Sequence, residues 1–133
     1  MIKVETKSFI PIYEQIKKEL KSKISQGILK ANEPLPSIRE LATQLLINPN
    51  TVARAYRELE QEGFIYTRKG KGCYVSDNSS SLVKEEGTNV LNQAFDRAIE
   101  EAKKLKLEPE EIRRLFEQRL EQVAEGEEKG RKE

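Results

Sequence analysis

The chain has 133 residues and a mass of 15.3 kDa, enough for one domain with a small appendage and too little for a large catalytic fold. Hydrophobic residues make up 36% and charged residues 35%, which supplies a modest core, and no run reaches the roughly 18 apolar residues of a membrane span. With no His and a single Cys, imidazole bases, His-containing triads, Cys/His zinc sites and intrachain disulfides are excluded.

The amino terminus, Met1 to Lys7, lacks the apolar stretch of a secretion signal, and with one thiol the expected setting is a reducing cytoplasm. No metal and no cofactor is expected. Charge is uneven along the chain. Residues 1–76 carry 13 Lys and Arg against 8 Asp and Glu, whereas residues 77–133 carry 11 against 15. A basic half of this kind suits an anionic partner.

The first helix is expected from about Pro11 to Gln26, with Pro11 at its first position and Gly27 as the stop. Ile12, Ile16, Leu20 and Ile24 recur every four residues and mark one apolar face. Residues 28–36 read as an irregular connection, because prolines interrupt any period. A second helix opens at Ser37, which with Glu40 fits a capping box, and Ile38, Leu41, Ala42 and Leu45 form its buried face. Asn48-Pro49 then caps and starts a third helix, leaving only Leu46 and Ile47 for the turn. Two helices joined so tightly form a helix-turn-helix.

The third helix is expected from about Pro49 to Glu62, ending at Gly63. At 100° per residue Val52, Ala55, Tyr56 and Leu59 share one side, and Asn50, Arg54 and Arg57 the other. Phe64 to Arg68 and Gly72 to Ser76 are short β-prone runs around Lys69-Gly70-Lys71, a hairpin with a basic tip. A hairpin in this place is a wing.

The serines at 79–81 and their polar neighbours mark a linker over residues 77–87, closing the first domain at 76. Two more helices are expected, Thr88 to Lys106 and Pro109 to Ala124, with Gly126 as a stop and residues 127–133 as a disordered charged tail. Leu91, Phe95, Ala98, Ile99, Ala102 and Leu105 stripe the first, and Ile112, Leu115, Phe116, Leu120 and Val123 the second. A two-helix element over 88–126 cannot bury both stripes alone, and a second copy of the chain is the economical partner. The expected fold class is therefore mainly α with a small β-hairpin: a winged helix-turn-helix followed by a two-helix dimerisation element.

A helix fits the major groove of DNA with its N-terminal side chains at base edges. Asn50 can pair with adenine bidentately, Thr51 can reach a base or the thymine methyl, and Arg54 can fork onto guanine or hold a phosphate. The bland alternative for each is an ordinary solvated face. It is outweighed here by the tight helix-turn-helix and the basic hairpin. Ser37 and Arg39 at the second helix start and Asn48 at the third, with Arg57, complete the candidate contacts on the helices; Arg39 suits phosphate, with a surface ion pair to Glu40 or Glu58 as the alternative. On the wing, Arg68, Lys69 and Lys71 flank Gly70 and Gly72, whose bare backbones can approach a groove closely, the alternative being a solubilising turn. Cys73 reads as a packing residue before a redox switch, and Phe95 and Phe116 as core before an effector pocket.

Three ordered blocks, Leu35-Pro36-Ser37-Ile38-Arg39-Glu40-Leu41-Ala42, Asn48 through Gly63, and Arg68 through Val75, resemble the GntR family of bacterial transcription regulators, as does Pro11-Ile12-Tyr13-Glu14-Gln15-Ile16 before them. The short C-terminal part resembles the YtrA subfamily. The resemblance implies a homodimeric repressor, typically of a transporter operon, with double-stranded operator DNA as partner and contacts from Arg39, Asn50, Thr51, Arg54 and the wing glycines. Where many relatives carry Arg this chain has Ala53, and Asn48-Pro49 stands where Ser-Arg is common, so base preference does not carry over. The rival is a winged protein-interaction module without DNA binding, which would favour an apolar or acidic outer stripe on the third helix. A small-molecule effector is a further possible partner, and the Ser-rich linker suggests that it would act by changing the angle between paired subunits. No membrane association is expected, and no constellation of nucleophile, base and oxyanion donor suggests an enzyme.

Overall fold

The computed structural model describes residues 2–132. In chain order they form α1 (Ile12–Ser25), α2 (Ile38–Leu45), α3 (Pro49–Gln61), β1 (Ile65–Arg68), β2 (Gly72–Val75), α4 (Ser79–Lys104) and α5 (Pro109–Lys132). The chain divides into two compact units, Met1–Thr88 and Asn89–Glu133.

The first unit is a winged helix-turn-helix. Ile16, Leu20 and Ile24 of α1 are buried at the four-residue spacing read from the sequence. Pro11 stands at the N-cap, one place before its expected position, because its extended ψ of 145° leaves the first helical turn to Ile12. Gly27, at φ 76°, reverses the chain, and the amides of Ile28 and Leu29 both return to the Lys23 carbonyl. Leu41 and Ala42 of α2 meet Val52, Ala55, Tyr56 and Leu59 of α3 in the same core, which Phe64, Ile65 and Val75 close from the hairpin. Ile38 differs from expectation: it is exposed, and α2 buries Leu41 and Ala42 with Leu45 half-buried beside them.

The turn between α2 and α3 uses an unusual residue. Leu46 takes the left-handed conformation, φ 57° and ψ 47°, so that the Ile47 amide can reach the Ala42 carbonyl at 3.0 Å. The antiparallel hairpin pairs Ile65 with Val75 and Arg68 with Gly72. The stretch before α2, expected to be irregular, pairs with β2: Asn32 donates to Val75, Val75 to Glu33, and Leu35 to Cys73. These bonds tie the approach to α2 to the wing.

Three helix boundaries in the C-terminal part depart from the sequence reading. The expected linker at 77–87 is helical from Ser79, the start of α4. Serine composition favours turns, but here Ser79 is buried, Leu82 and Val83 pack against the winged core, and Lys21 bonds Glu86 at 2.9 Å. Tertiary contacts override the local preference. The first compact unit accordingly extends past 76, and residues 79–87, read as a linker, are helical. Likewise Gly126 does not stop α5, which runs to Lys132 where a disordered tail was expected; Gly126 lacks the positive φ of a terminating glycine. Glu133 lies outside the described residues. The end of α4 falls slightly early, at Lys104, where the Leu105 and Lys106 amides turn back and Lys106 adopts φ 60°.

In the second unit, Phe95 of α4 and Phe116 of α5 meet edge to face, ring centroids 5.8 Å apart at 88°. The helices touch there without closing over their apolar stripes. Among the described residues no helix is long and apolar enough to cross a membrane.

Candidate nucleic-acid interface

The helix-turn-helix presents α3 with one side sealed and the other open. Val52, Ala55 and Leu59 are fully buried and Tyr56 nearly so, while Asn50, Arg54 and Arg57 are exposed and Thr51 is half-exposed. Burial of Tyr56 is accompanied by a 2.7 Å hydrogen bond from its hydroxyl to the Pro36 carbonyl. This bond ties the stretch before α2 to α3. Burial pushes the Tyr56 phenol well above its ordinary range, with smaller contributions from Cys73 and Glu40.

Both helix starts are capped by side chains that were candidate contacts. The Ser37 hydroxyl oxygen accepts from the Glu40 amide at 3.0 Å, and the Asn48 side-chain oxygen accepts from the Asn50 amide at 2.9 Å. Their remaining donors, the Ser37 hydroxyl hydrogen and the Asn48 side-chain NH2, have no partner among the described residues and can meet an anion. Arg39 is exposed and makes no ion pair among the described residues, so neither Glu40 nor Glu58 holds it.

Glu58 is engaged elsewhere. Its carboxylate takes Arg54 Nε at 3.0 Å through one oxygen and Lys17 Nζ at 3.0 Å through the other, and Lys17 also reaches Glu62 at 2.9 Å. The Lys17 side chain is only 8% exposed. Burial alone would lower its pKa, but hydrogen bonds and charge from Glu62 and Glu58 outweigh burial and hold it above the ordinary lysine value. Hydrogen bonds from Lys17 and Arg54 in turn hold the Glu58 carboxyl below its ordinary range. The Arg54 guanidinium lies over the Tyr13 ring, 3.7 Å from its centroid. Sequence reading missed Tyr13 and Lys17, although the four-residue spacing of Arg54 and Glu58 was a visible sign of a helix ion pair.

At the wing, Arg68, Lys69, Gly70, Lys71 and Gly72 are all exposed. The turn closes by the Lys71 amide returning to the Arg68 carbonyl at 2.8 Å, with Gly70 at φ 75° and Gly72 at φ 88°. A side chain at either glycine would meet no neighbour, so the requirement is conformational. Tyr74 braces the tip: its hydroxyl donates to the Lys71 carbonyl at 2.9 Å, its ring stacks on Tyr66, and the Arg68 guanidinium lies 5.7 Å from the ring centroid. Cys73 is half-buried with Thr67 Oγ1 3.5 Å from its sulfur, the environment of a packing residue.

In the second unit Leu91, Phe95, Ala98, Ile99, Leu105, Leu115, Phe116, Leu120 and Val123 are exposed, and Ala102 and Ile112 half-exposed. Phe95, Ala98, Ile99, Ala102, Ile112, Leu115 and Phe116 line an open apolar groove of about 470 Å³, together with Arg113 and Arg119. Arg113 is paired with Glu110, and Arg119 donates to Gln122 at 2.7 Å. No cluster of His, Cys, Asp or Glu among the described residues has a metal-binding arrangement.

The comparisons with known proteins agree with this geometry. Residues 12–75 match the family model described as bacterial regulatory proteins, gntR family. The chain is 42% identical over 102 residues to the HTH-type transcriptional repressor YtrA of Bacillus subtilis, a match that spans 77% of this chain and 78% of the relative. It is similar in structure to a transcriptional regulator from Oenococcus oeni, at 37% identity and a TM-score of 0.75, covering 88% of this chain and 97% of that one. It is also similar to YtrA from Sulfolobus acidocaldarius, a GntR-family transcription factor, at 37% identity and a TM-score of 0.61, covering 74% and 96%. The C-terminal helices thus fit a YtrA-type fold. On the winged domain, its matching family model and relatives alike across most of their length, the chain belongs to the GntR family of bacterial regulatory proteins, DNA-binding transcriptional regulators.

Proposed function

We propose that the protein is a homodimeric cytoplasmic repressor, without enzymatic activity, in which each winged domain takes one half of a roughly palindromic operator. The observation that carries this reading is α3: a polar and basic outer face of Asn50, Thr51, Arg54 and Arg57 backed by a sealed apolar side and followed by a basic wing. The apolar or acidic stripe of a protein-interaction module is absent from it. Asn50, Thr51 and Arg54 reach base edges from the major groove. Ser37, Arg39, Asn48, Arg57, Arg68, Lys69 and Lys71 hold phosphates, and Gly70 and Gly72 let the wing backbone approach.

The second copy covers the apolar face of α4 and α5. Eight large hydrophobic side chains of these helices are more than a third exposed, an extent that monomers rarely leave open to water. Two linked modules add their binding energies and fix the half-site spacing, which one small module cannot do. Transporter genes are the target class that the YtrA resemblance implies, and a small-molecule effector, if one acts, is a ligand of the dimer. The test is selection of duplexes from a random pool with the full chain, and light scattering of free and bound protein. Enrichment of a two-fold symmetric site bound by two chains is expected; enrichment of nothing, or a monomer on a single half-site, overturns the proposal.

A further inference from the structure

We infer that Tyr13, on α1 and outside the helix-turn-helix, is a positioning residue that sets the pose in which Arg54 reads a base. The inference rests on the base-reading role of α3 proposed above. Two contacts restrain the Arg54 guanidinium, and a third holds one of the partners in place. Its face lies 3.7 Å from the Tyr13 ring centroid, its Nε donates to Glu58 at 3.0 Å, and Glu58 is fixed from its other oxygen by buried Lys17. The two terminal nitrogens have no hydrogen-bond partner among the described residues, and the side chain is 51% exposed.

The free atoms are therefore the fork that a guanine edge takes bidentately, while the inner nitrogen and one face of the guanidinium are held by the protein. A flexible arginine gives up its rotamer freedom on docking; here much of it is already lost on folding, so the fork is presented preorganised. Arg57, on the same outer face, has no such brace among the described residues and suits a phosphate, where orientation matters less. Because Tyr13 belongs to α1, whose Ile16 and Leu20 pack in the same core as Val52 and Leu59, its ring is fixed relative to α3.

The test uses the full chain, the duplex enriched from a random pool, and a scrambled duplex of equal length. Anisotropy titrations at one ionic strength give the ratio of the two dissociation constants for wild type, Tyr13→Phe, Tyr13→Leu, Arg54→Ala and the Tyr13→Leu/Arg54→Ala double variant, with a melting temperature for each. Phe keeps the aromatic face, and Leu keeps apolar bulk without it. Tyr13→Phe should stay within about twofold of wild type, whereas Tyr13→Leu should lose about 3- to 30-fold in discrimination, the range of a cation–π contact. That loss should vanish when Arg54 is already Ala, a coupling that a general loss of stability would not produce.

Discrimination unchanged by Tyr13→Leu while Arg54→Ala reduces it overturns the inference and leaves base reading intact. An equal loss from Tyr13→Leu in both backgrounds also overturns it, as does tighter operator binding by Tyr13→Leu, which would mean that the ring parks Arg54 away from DNA. If Arg54→Ala itself leaves the ratio unchanged, base reading by Arg54 fails and the inference with it.

Discussion

Tyr56→Phe removes one oxygen atom, and the structure states what that atom does. The hydroxyl donates at 2.7 Å to the Pro36 carbonyl from a side chain that is almost wholly buried. A hydrogen bond of this kind contributes about 0.5–1.5 kcal/mol net, and an orphaned buried acceptor adds about 1–3 kcal/mol. Pro36 is only half-buried, so water can reach its carbonyl, and the expected loss for Tyr56→Phe is about 1–2 kcal/mol near pH 7. In a unit of this size that corresponds to a fall of roughly 4–8 °C in Tm for each kcal/mol.

The pH dependence of that loss is a second, independent signature. The folded phenol holds its proton above its ordinary pKa of 10.0 because burial disfavours the phenolate. Above that pH the unfolded chain has released the proton and the folded chain has not, so stability falls as pH rises. The contribution is complete below the unfolded pKa and lost upward through the folded one, by about 1.4 kcal/mol per unit. Phenylalanine has no such proton. The stability gap between wild type and Tyr56→Phe should therefore narrow by about 1.4 kcal/mol between neutral pH and pH 11, as measured by urea unfolding of both at each pH. A variant as stable as wild type at pH 7, or a gap that does not narrow in alkali, would refute the assignment of this hydroxyl.

Three further outcomes follow from the same structure. Leu59→Ala, at a position with no exposed surface, should cost about 2–5 kcal/mol by calorimetry, and a loss well under about 1 kcal/mol would remove Leu59 from the core. Wild-type affinity for the selected duplex should fall with salt on a log–log slope on the order of −5 or steeper; replacing Lys69 and Lys71 by Gln should lessen the slope by about 0.9 for each phosphate that a wing lysine no longer neutralises. An unchanged slope would take the wing off the backbone. Phe116→Glu places a charge on the apolar face of α5 and should give a monomer in light scattering while the winged unit keeps its Tm, whereas an unaffected dimer would move the subunit interface elsewhere.

Much of the fold was legible in the sequence because local signals agreed with it. The caps at Ser37 and Asn48, Pro49 at the start of α3, and the period that buries Val52, Ala55, Tyr56 and Leu59 each specify the same helix-turn-helix. Misreadings arose where distant contacts decide. Ser79, Leu82 and Val83 are helical because they pack on the winged core, and the composition of the serine run gave no sign of that surface. The pairing of Asn32, Glu33 and Leu35 with β2 is likewise non-local. At the interface the exposed candidates were found from helical spacing, but the brace on Arg54 joins Tyr13 and Lys17 to a helix about 40 residues later. Spacing within one element cannot reveal such a contact.

The most direct measurement is an equilibrium titration of the full chain, at fixed salt, with a duplex enriched from a random pool and with its scrambled counterpart. Preference for the enriched duplex by about 10³-fold or more, with two chains bound per duplex, is the expected result. Equal affinity for both duplexes would contradict sequence-specific recognition by α3 and the wing.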